Sequence, residues 1–257
     1  MMTWKMPVLG ALIFLISGLT NSESSALPLP DIEKRGYVIV GVNPHQRPLT
    51  FRDNTGELQG LEIEIIKRLV AEMRGGALGV QFVELSNEGR LQGVIDDKVD
   101  LAIAGVTITP SRLRVVNFSL PYYLAHTAII THQNHGTLKD NDSLAVIQGS
   151  RAIPHLRYHL PNNRLVGVAS YQEGLQLLQQ KKVQGFAGDN TILTGWLKEN
   201  PPYRLLDSNY GVYPLAIVMP KGLKYQSLRD EVNRIIRQLE DEKWLENQAQ
   251  KWQLIDN

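Results

Sequence analysis

Strand and helix signals alternate along this chain, and that alternation restricts the fold more than any other feature. Tyr37-Val38-Ile39-Val40-Gly41-Val42 is a dense β-branched run and predicts a buried strand. Leu61, Ile65, Ile66, Leu69, Val70 and Met73 recur at helical spacing. Gln81 to Leu85 predicts a second strand, Leu91, Val94 and Ile95 a short helix, and Asp100 to Val106 a third strand. A βαβαβ order of this kind points to a parallel sheet covered by helices.

The pattern then restarts. Thr127–Thr131, Leu144–Ile147 and Leu165–Val168 predict strands, with a helix over Ala152–His159 and another over Tyr171–Gln180. A short strand at Gly185–Ala187 precedes a helix through Ile192, Leu193, Trp196 and Leu197. Tyr213–Met219 is one more strand. Two helices follow, one through Leu228, Val232, Ile235, Ile236 and Leu239, the other through Trp244, Leu245, Ala249 and Trp252. Two α/β units with a C-terminal return predict two lobes. Ligands of open α/β sheets sit beyond the carboxyl ends of the strands, so two such edges facing each other make a cleft.

Composition narrows the function. The 27 basic and 26 acidic residues leave a net charge of +1, which gives no footprint for nucleic acid or an anionic membrane. There is no cysteine, which removes disulfides, thiolate chemistry, cysteine-ligated metals and a lipid anchor on an N-terminal cysteine. Lys5 and the apolar run Pro7–Leu19, followed by small and polar residues, read as an export signal over residues 1–26, cleaved after Ala26. An uncleaved membrane anchor is the alternative. Pro28-Leu29-Pro30 reads as a short stiff linker. A soluble exported chain without a lipid anchor needs an outer barrier to retain it, so a periplasmic location and a monomer are expected.

The richest stretch for chemistry is Ala102 to Arg112. Gly105 lets the backbone be approached closely at a strand end, Thr109 suits an N-cap and Pro110 a first helical position. Thr107 adds a hydroxyl, and Arg112 a fork that matches a carboxylate bidentately. These residues describe a carboxylate clamp, or an ordinary strand–helix junction with a surface arginine. Asp189 stands at a strand end, where it either receives a cation in the cleft or caps the helix at Thr191. His155 and His159 share a helix face but lack a third ligand, so no metal site and no cofactor are expected.

Gly105-Val106-Thr107-Ile108-Thr109-Pro110-Ser111-Arg112, followed by Asn117-Phe118-Ser119-Leu120-Pro121-Tyr122-Tyr123, resembles the signature of the family 3 bacterial extracellular solute-binding proteins. These are the amino-acid-binding subunits of ABC importers. Gly60 to Ile65, Val99 to Ala102, Gly185 to Asn190 and the Trp244…Trp252 helix add to the likeness, which runs from about Arg35 to Trp252. The resemblance implies an α/β, two-lobed periplasmic-binding-protein (venus-flytrap) fold of type II with two hinge strands. Lobe 1 would hold 31–124 plus 213–257 and lobe 2 would hold 125–212. It implies that Thr107, Arg112 and backbone at Gly105 hold a ligand carboxylate, helped by Ser150 of the Gly149-Ser150-Arg151 loop, and that Asp189 receives the ammonium. The partners implied are a free L-amino acid and a membrane permease.

The chain departs from well-known members where the side chain would be read. Gln46 and Asn87 stand where pocket aromatics are usual, and Tyr171 stands at a pocket-histidine position. Arg90 lines up with an arginine used by binders of acidic amino acids, or is a solvated helix residue. Arg47, Arg90 and Arg151 are expected to border one cleft, which favours a polar or acidic ligand over a cationic one. Two other readings remain: an enzyme resembling the cyclohexadienyl dehydratases on the same fold, and a sensor domain or binding half of a lytic enzyme, whose chains carry a further domain that is not expected here.

Overall fold

The computed structural model describes residues 26–73, 77–206 and 210–254. The proposed export signal therefore lies outside the described residues except for Ala26. Among the described residues no helix is long and apolar enough to cross a membrane.

The first half follows the expected order. Strand β1 (Tyr37–Val42) pairs in parallel with β5 (Gly79–Glu84) on one side and β6 (Leu101–Ala102) on the other. Between them lie α2 (Leu61–Glu72) and α3 (Gly89–Ile95), and a small antiparallel sheet of β2 (His45–Gln46), β3 (Thr50–Arg52) and β4 (Leu58–Gln59). Alternation along β1 divides the core. Val38, Val40 and Val42 pack with α2 and with α8 (Gln226–Asp241), while Ile39 faces Val94, Val99 and Ala104 on the other side. The second half repeats the plan. Strands β8 (Ser143–Ile147), β9 (Arg164–Val168) and β10 (Gly185–Asp189) run parallel, with α5 (Ala152–His159), α6 (Tyr171–Gln179) and α7 (Asn190–Leu197) on their faces.

One strand joins the halves. β7 runs over sixteen residues, Asn117–His132. From Asn117 to His126 it pairs with β12 (Val212–Met219); from Thr127 to Thr131 it pairs with β10, and near its end with β11 (Tyr203–Leu205). The result is a continuous sheet in the order β5-β1-β6-β12-β7-β10-β8-β9, with β11 paired to β7. The molecule is the two-lobed, mixed α/β fold expected, with one core about β1 and β12 and another about β8 and β10. The lobes touch across the cleft: Ile192 of α7 joins the first lobe's core, and the Gly195 backbone leaves no room for a Cβ against the Arg47 carbonyl.

Three local expectations are corrected. Pro28-Leu29-Pro30 is not a linker but the start of α1 (Leu29–Arg35); proline fits a first helical turn, and Gly36 ends the helix in the left-handed conformation. The third strand is only two residues long, because Gly105 takes φ +60 and cannot continue a β ladder. The strand expected over Thr127–Thr131 begins ten residues earlier. Pro121 is tolerated inside it because its partner, Ala216, lies at a register shift, where a missing N–H costs no ladder bond.

Candidate functional site

The first lobe supplies a scaffold that is complete within itself. Glu62, in the first turn of α2, is fully buried and accepts from the Thr50 hydroxyl (2.7 Å), the Tyr122 hydroxyl (2.6 Å) and the Gly105 N–H (2.7 Å). Burial raises its pKa, opposed by those three hydrogen bonds and the nearby Arg90 charge. The turn at Gly105 aims its N–H at Glu62 and its carbonyl, with that of Ala104, at Arg90 Nη1 (3.1 and 2.8 Å). Two residues after Gly105, the Thr107 carbonyl (2.8 Å) and hydroxyl (2.6 Å) accept from Arg112 Nη1. Thr109 caps α4 (Pro110–Leu113) by accepting from the Arg112 N–H. That donor is therefore taken, and in this four-residue helix the Arg112 side chain is the available cationic group.

The second lobe's contributors sit at helix starts. Asp189 Oδ1 accepts from the Thr191 N–H (3.0 Å) and hydroxyl (2.7 Å), so the aspartate does cap α7; no described residue donates to Oδ2. Burial pushes the Asp189 carboxyl up to about 6, against the Thr191 bonds. Tyr171 accepts from the Asp189 N–H (2.8 Å) and rests edge-on against Phe186. Ser150 accepts from the Ala152 N–H at the start of α5. Arg151 reaches over the cleft, with Nη1 on the Ile108 carbonyl (2.7 Å) and its guanidinium over the Tyr213 ring.

These groups meet in one cavity of about 60 Å³ between the lobes. Gln46, Asn87, Arg90, Gly105, Thr107, Arg112, Ser150, Arg151, Tyr171 and Asp189 all line it, which brings together the residues the sequence suggested for the site apart from Arg47. Arg47 is the exception among the three arginines: it is stacked on Phe51 at 3.7 Å and lines a neighbouring groove instead. Burial, reinforced by the charges of Arg90 and Arg151, pulls the Arg112 guanidinium down to about 10. Three guanidiniums thus converge on a space whose nearby carboxylates are Asp189 and the enclosed Glu62, an arrangement that attracts an anion. His155 and His159 lie against the Tyr213 and Tyr210 rings, and no cluster of metal-ligating residues occurs among the described residues.

Sequence reasoning missed Glu62, which organises one wall, and Thr127, Ile147 and Tyr213, which also line the cavity. The signal for Glu62 was present: it shares the 62, 65, 66, 69 helical face with Ile65, Ile66 and Leu69, so it is a carboxylate at a core position.

The model of the bacterial extracellular solute-binding proteins, family 3, matches residues 38–255. The chain belongs to this family. It is 26% identical over 247 residues to the glutamine-binding protein of Geobacillus stearothermophilus, across 86% of this chain and 94% of that protein. It is 26% identical over 165 residues to the ABC transporter arginine-binding protein 1 of Escherichia coli, across 63% of this chain and 66% of that one. The solute receptor for L-cysteine of Neisseria gonorrhoeae superposes with a TM-score of 0.79 at 27% identity, covering 88% of this chain and 93% of that structure. These relatives are named for the amino acids glutamine, arginine and L-cysteine, and the Escherichia coli protein also for an ABC transporter.

Proposed function

We propose that this protein captures one free L-amino acid, polar or acidic, in the periplasm and delivers it to an ABC-transporter permease. The observation that carries the reading is the opposition of charge across one cavity, with Arg112 and Thr107 on the first lobe and the uncommitted Oδ2 of Asp189 on the second. In this reading Arg112, Thr107 and Ser150 hold the α-carboxylate and Asp189 receives the ammonium, while Gly105, whose N–H is taken by Glu62, contributes close approach to the backbone and not a donor as the sequence suggested. Arg90, Asn87, Gln46 and Tyr171 border the side chain. Arg151 closes the cleft from the second lobe.

The lobes are assigned as 31–124 plus 213–257 and 125–212. The change of pairing partner along β7, from Val212 opposite His126 to Asp189 opposite Thr127, supports a hinge at that point. Ligand binding would shift the population toward the closed form, and the mature chain is expected to be a soluble monomer without a lipid anchor. The dehydratase alternative needs a free acid–base group beside the substrate. Both Glu62 oxygens are engaged, and Asp189 is the remaining candidate. The proposal gives Asp189 to the ligand ammonium and leaves no second acid–base group beside it, so prephenate and arogenate are expected to remain unchanged on incubation.

A thermal-shift screen of the common amino acids tests the proposal. A ligand at a hundred times its dissociation constant stabilises by about 2.7 kcal/mol, a clear rise in Tm. The absence of a response to every amino acid would overturn it.

A further inference from the structure

Three amides beside the cavity are locked in orientation by a backbone group outside it. The His45 N–H donates to Asn43 Oδ1 (3.1 Å), so the Asn43 amide can only turn its Nδ2 toward Asn87. That Nδ2 donates to Asn87 Oδ1 (2.9 Å). The same oxygen accepts from Gln46 Nε2 (3.1 Å), which turns Gln46 Oε1 away from Asn87 and toward Gly105. Gln46 is only 2% exposed, and Oε1 is buried with no hydrogen-bond partner among the described residues. It stands 2.9 Å from where a Cβ on Gly105 would be, among residues that line the cavity. Flipping any one amide would set donor against donor or acceptor against acceptor along the relay. A buried acceptor without a donor is unfavourable, and here the site itself dictates that the acceptor be present.

We infer that this relay reads the ligand side chain as a neutral carboxamide, making a glutamine- or asparagine-type amino acid the preferred ligand. The inference rests on the proposed function, which assigns the ligand's two backbone charges to Arg112 and Asp189. The group that meets Gln46 is then the side chain. On this wall Gln46 Oε1 needs an N–H, while Arg90 and Asn87 Nδ2 offer donors; no described residue accepts from Asn87 Nδ2. A carboxamide supplies both complements. A side-chain carboxylate would set an oxygen against Oε1, and a cationic side chain would satisfy Oε1 but face Arg90, Arg112 and Arg151. This shifts the expectation from acidic ligands, which Arg90 alone favoured, to their amides.

The test is calorimetric titration of the mature protein at pH 8 with glutamine, asparagine, glutamate, aspartate and arginine. Wild type should bind glutamine or asparagine about tenfold or more tighter than the corresponding acid. Gln46→Met removes the acceptor at similar length and should erase that preference. Asn43→Asp acts from outside the cavity. Its carboxylate accepts from both sides, so Asn87 and Gln46 both turn over, the acceptor and donor they show the ligand change places beside the fixed Arg90, and the preference for the amide should weaken. Circular dichroism melts establish that each variant is folded. If glutamate, aspartate or arginine binds wild type most tightly, or if both folded variants keep the wild-type ranking, the relay proposal is overturned while the amino-acid reading stands. Binding of none of the five, with no response in the wider screen, would instead overturn the function on which it rests.

Discussion

The two walls of the cavity are built on opposite principles. On the first lobe, Glu62, Gly105, Arg90, Thr107 and Arg112 bond mainly to one another and to their own lobe's backbone, so the wall has its shape before anything enters. On the second lobe, Asp189 and Ser150 hold helix starts, and Arg151 makes its described hydrogen bond to the first lobe. The first wall is preorganised and carries the proposed cationic anchor, Arg112. The second presents its groups through helix geometry and is completed only when the lobes meet. Preorganisation lowers the ordering cost of binding, so the first wall should dominate affinity and the second should tune it.

Removing the anchor should have the largest effect. Arg112→Ala is expected to weaken amino-acid binding by about 2–5 kcal/mol, since it leaves the ligand carboxylate unpaired in a dry site. The fold should persist, because Arg112 is half-buried and among the described residues its side chain bonds only to Thr107. Calorimetry with a denaturation control checks this, and retained affinity would remove the anchor from the first wall.

Asp189→Asn separates the two roles of that side chain. Asparagine caps helices about as well as aspartate, so stability should change by less than about 0.5 kcal/mol. Affinity should fall by about 1.5–3 kcal/mol, the scale of a hydrogen bond to a charged group. A loss of stability with unchanged affinity would make Asp189 a cap alone.

A smaller effect should follow pH. The Asp189 carboxyl titrates at about 6 before the ligand binds. An ammonium against Oδ2 would pull that pKa down, so binding is strongest above pH 6 and is lost as pH falls through it. At pH 5 roughly one molecule in ten is ionised there, and affinity should be about tenfold weaker than at pH 7.5. The sign for folding is opposite. A carboxyl raised above its ordinary 3.8 binds more protons folded than unfolded, so its destabilising effect is full above pH 6 and disappears toward pH 4. Affinity that does not vary between pH 5 and 7.5 would contradict the ammonium assignment.

The sequence made the frame legible because its signals are periodic. The β1 run and the α2 spacing each report a buried face, and the paired α/β units report two lobes. The residues of the proposed clamp were legible as a local string, since Gly105, Thr107 and Arg112 fall within eight residues. The length of β7 was hidden because Pro121 argues against a strand interior, and only the pairing partner's irregularity makes it tolerable. The amide relay was hidden for a different reason. Asn43, Gln46 and Asn87 were visible as replacements for aromatics, but which atom each turns to the cavity depends on contacts 41 and 44 residues apart in sequence. The position of Arg47 depended likewise on the Phe51 ring beneath it.

In the proposed function one wall holds the free carboxylate and the other the free ammonium of the same small molecule. Titration of wild-type protein with its best amino acid, the α-amide of that amino acid and its N-acetyl derivative separates the two walls. The amide should bind about 2–5 kcal/mol more weakly for want of a partner to Arg112, and the N-acetyl form about 1.5–3 kcal/mol more weakly for want of one to Asp189. If either derivative binds as tightly as the parent, the wall assigned to the missing charge does not hold it, and the two-sided account fails.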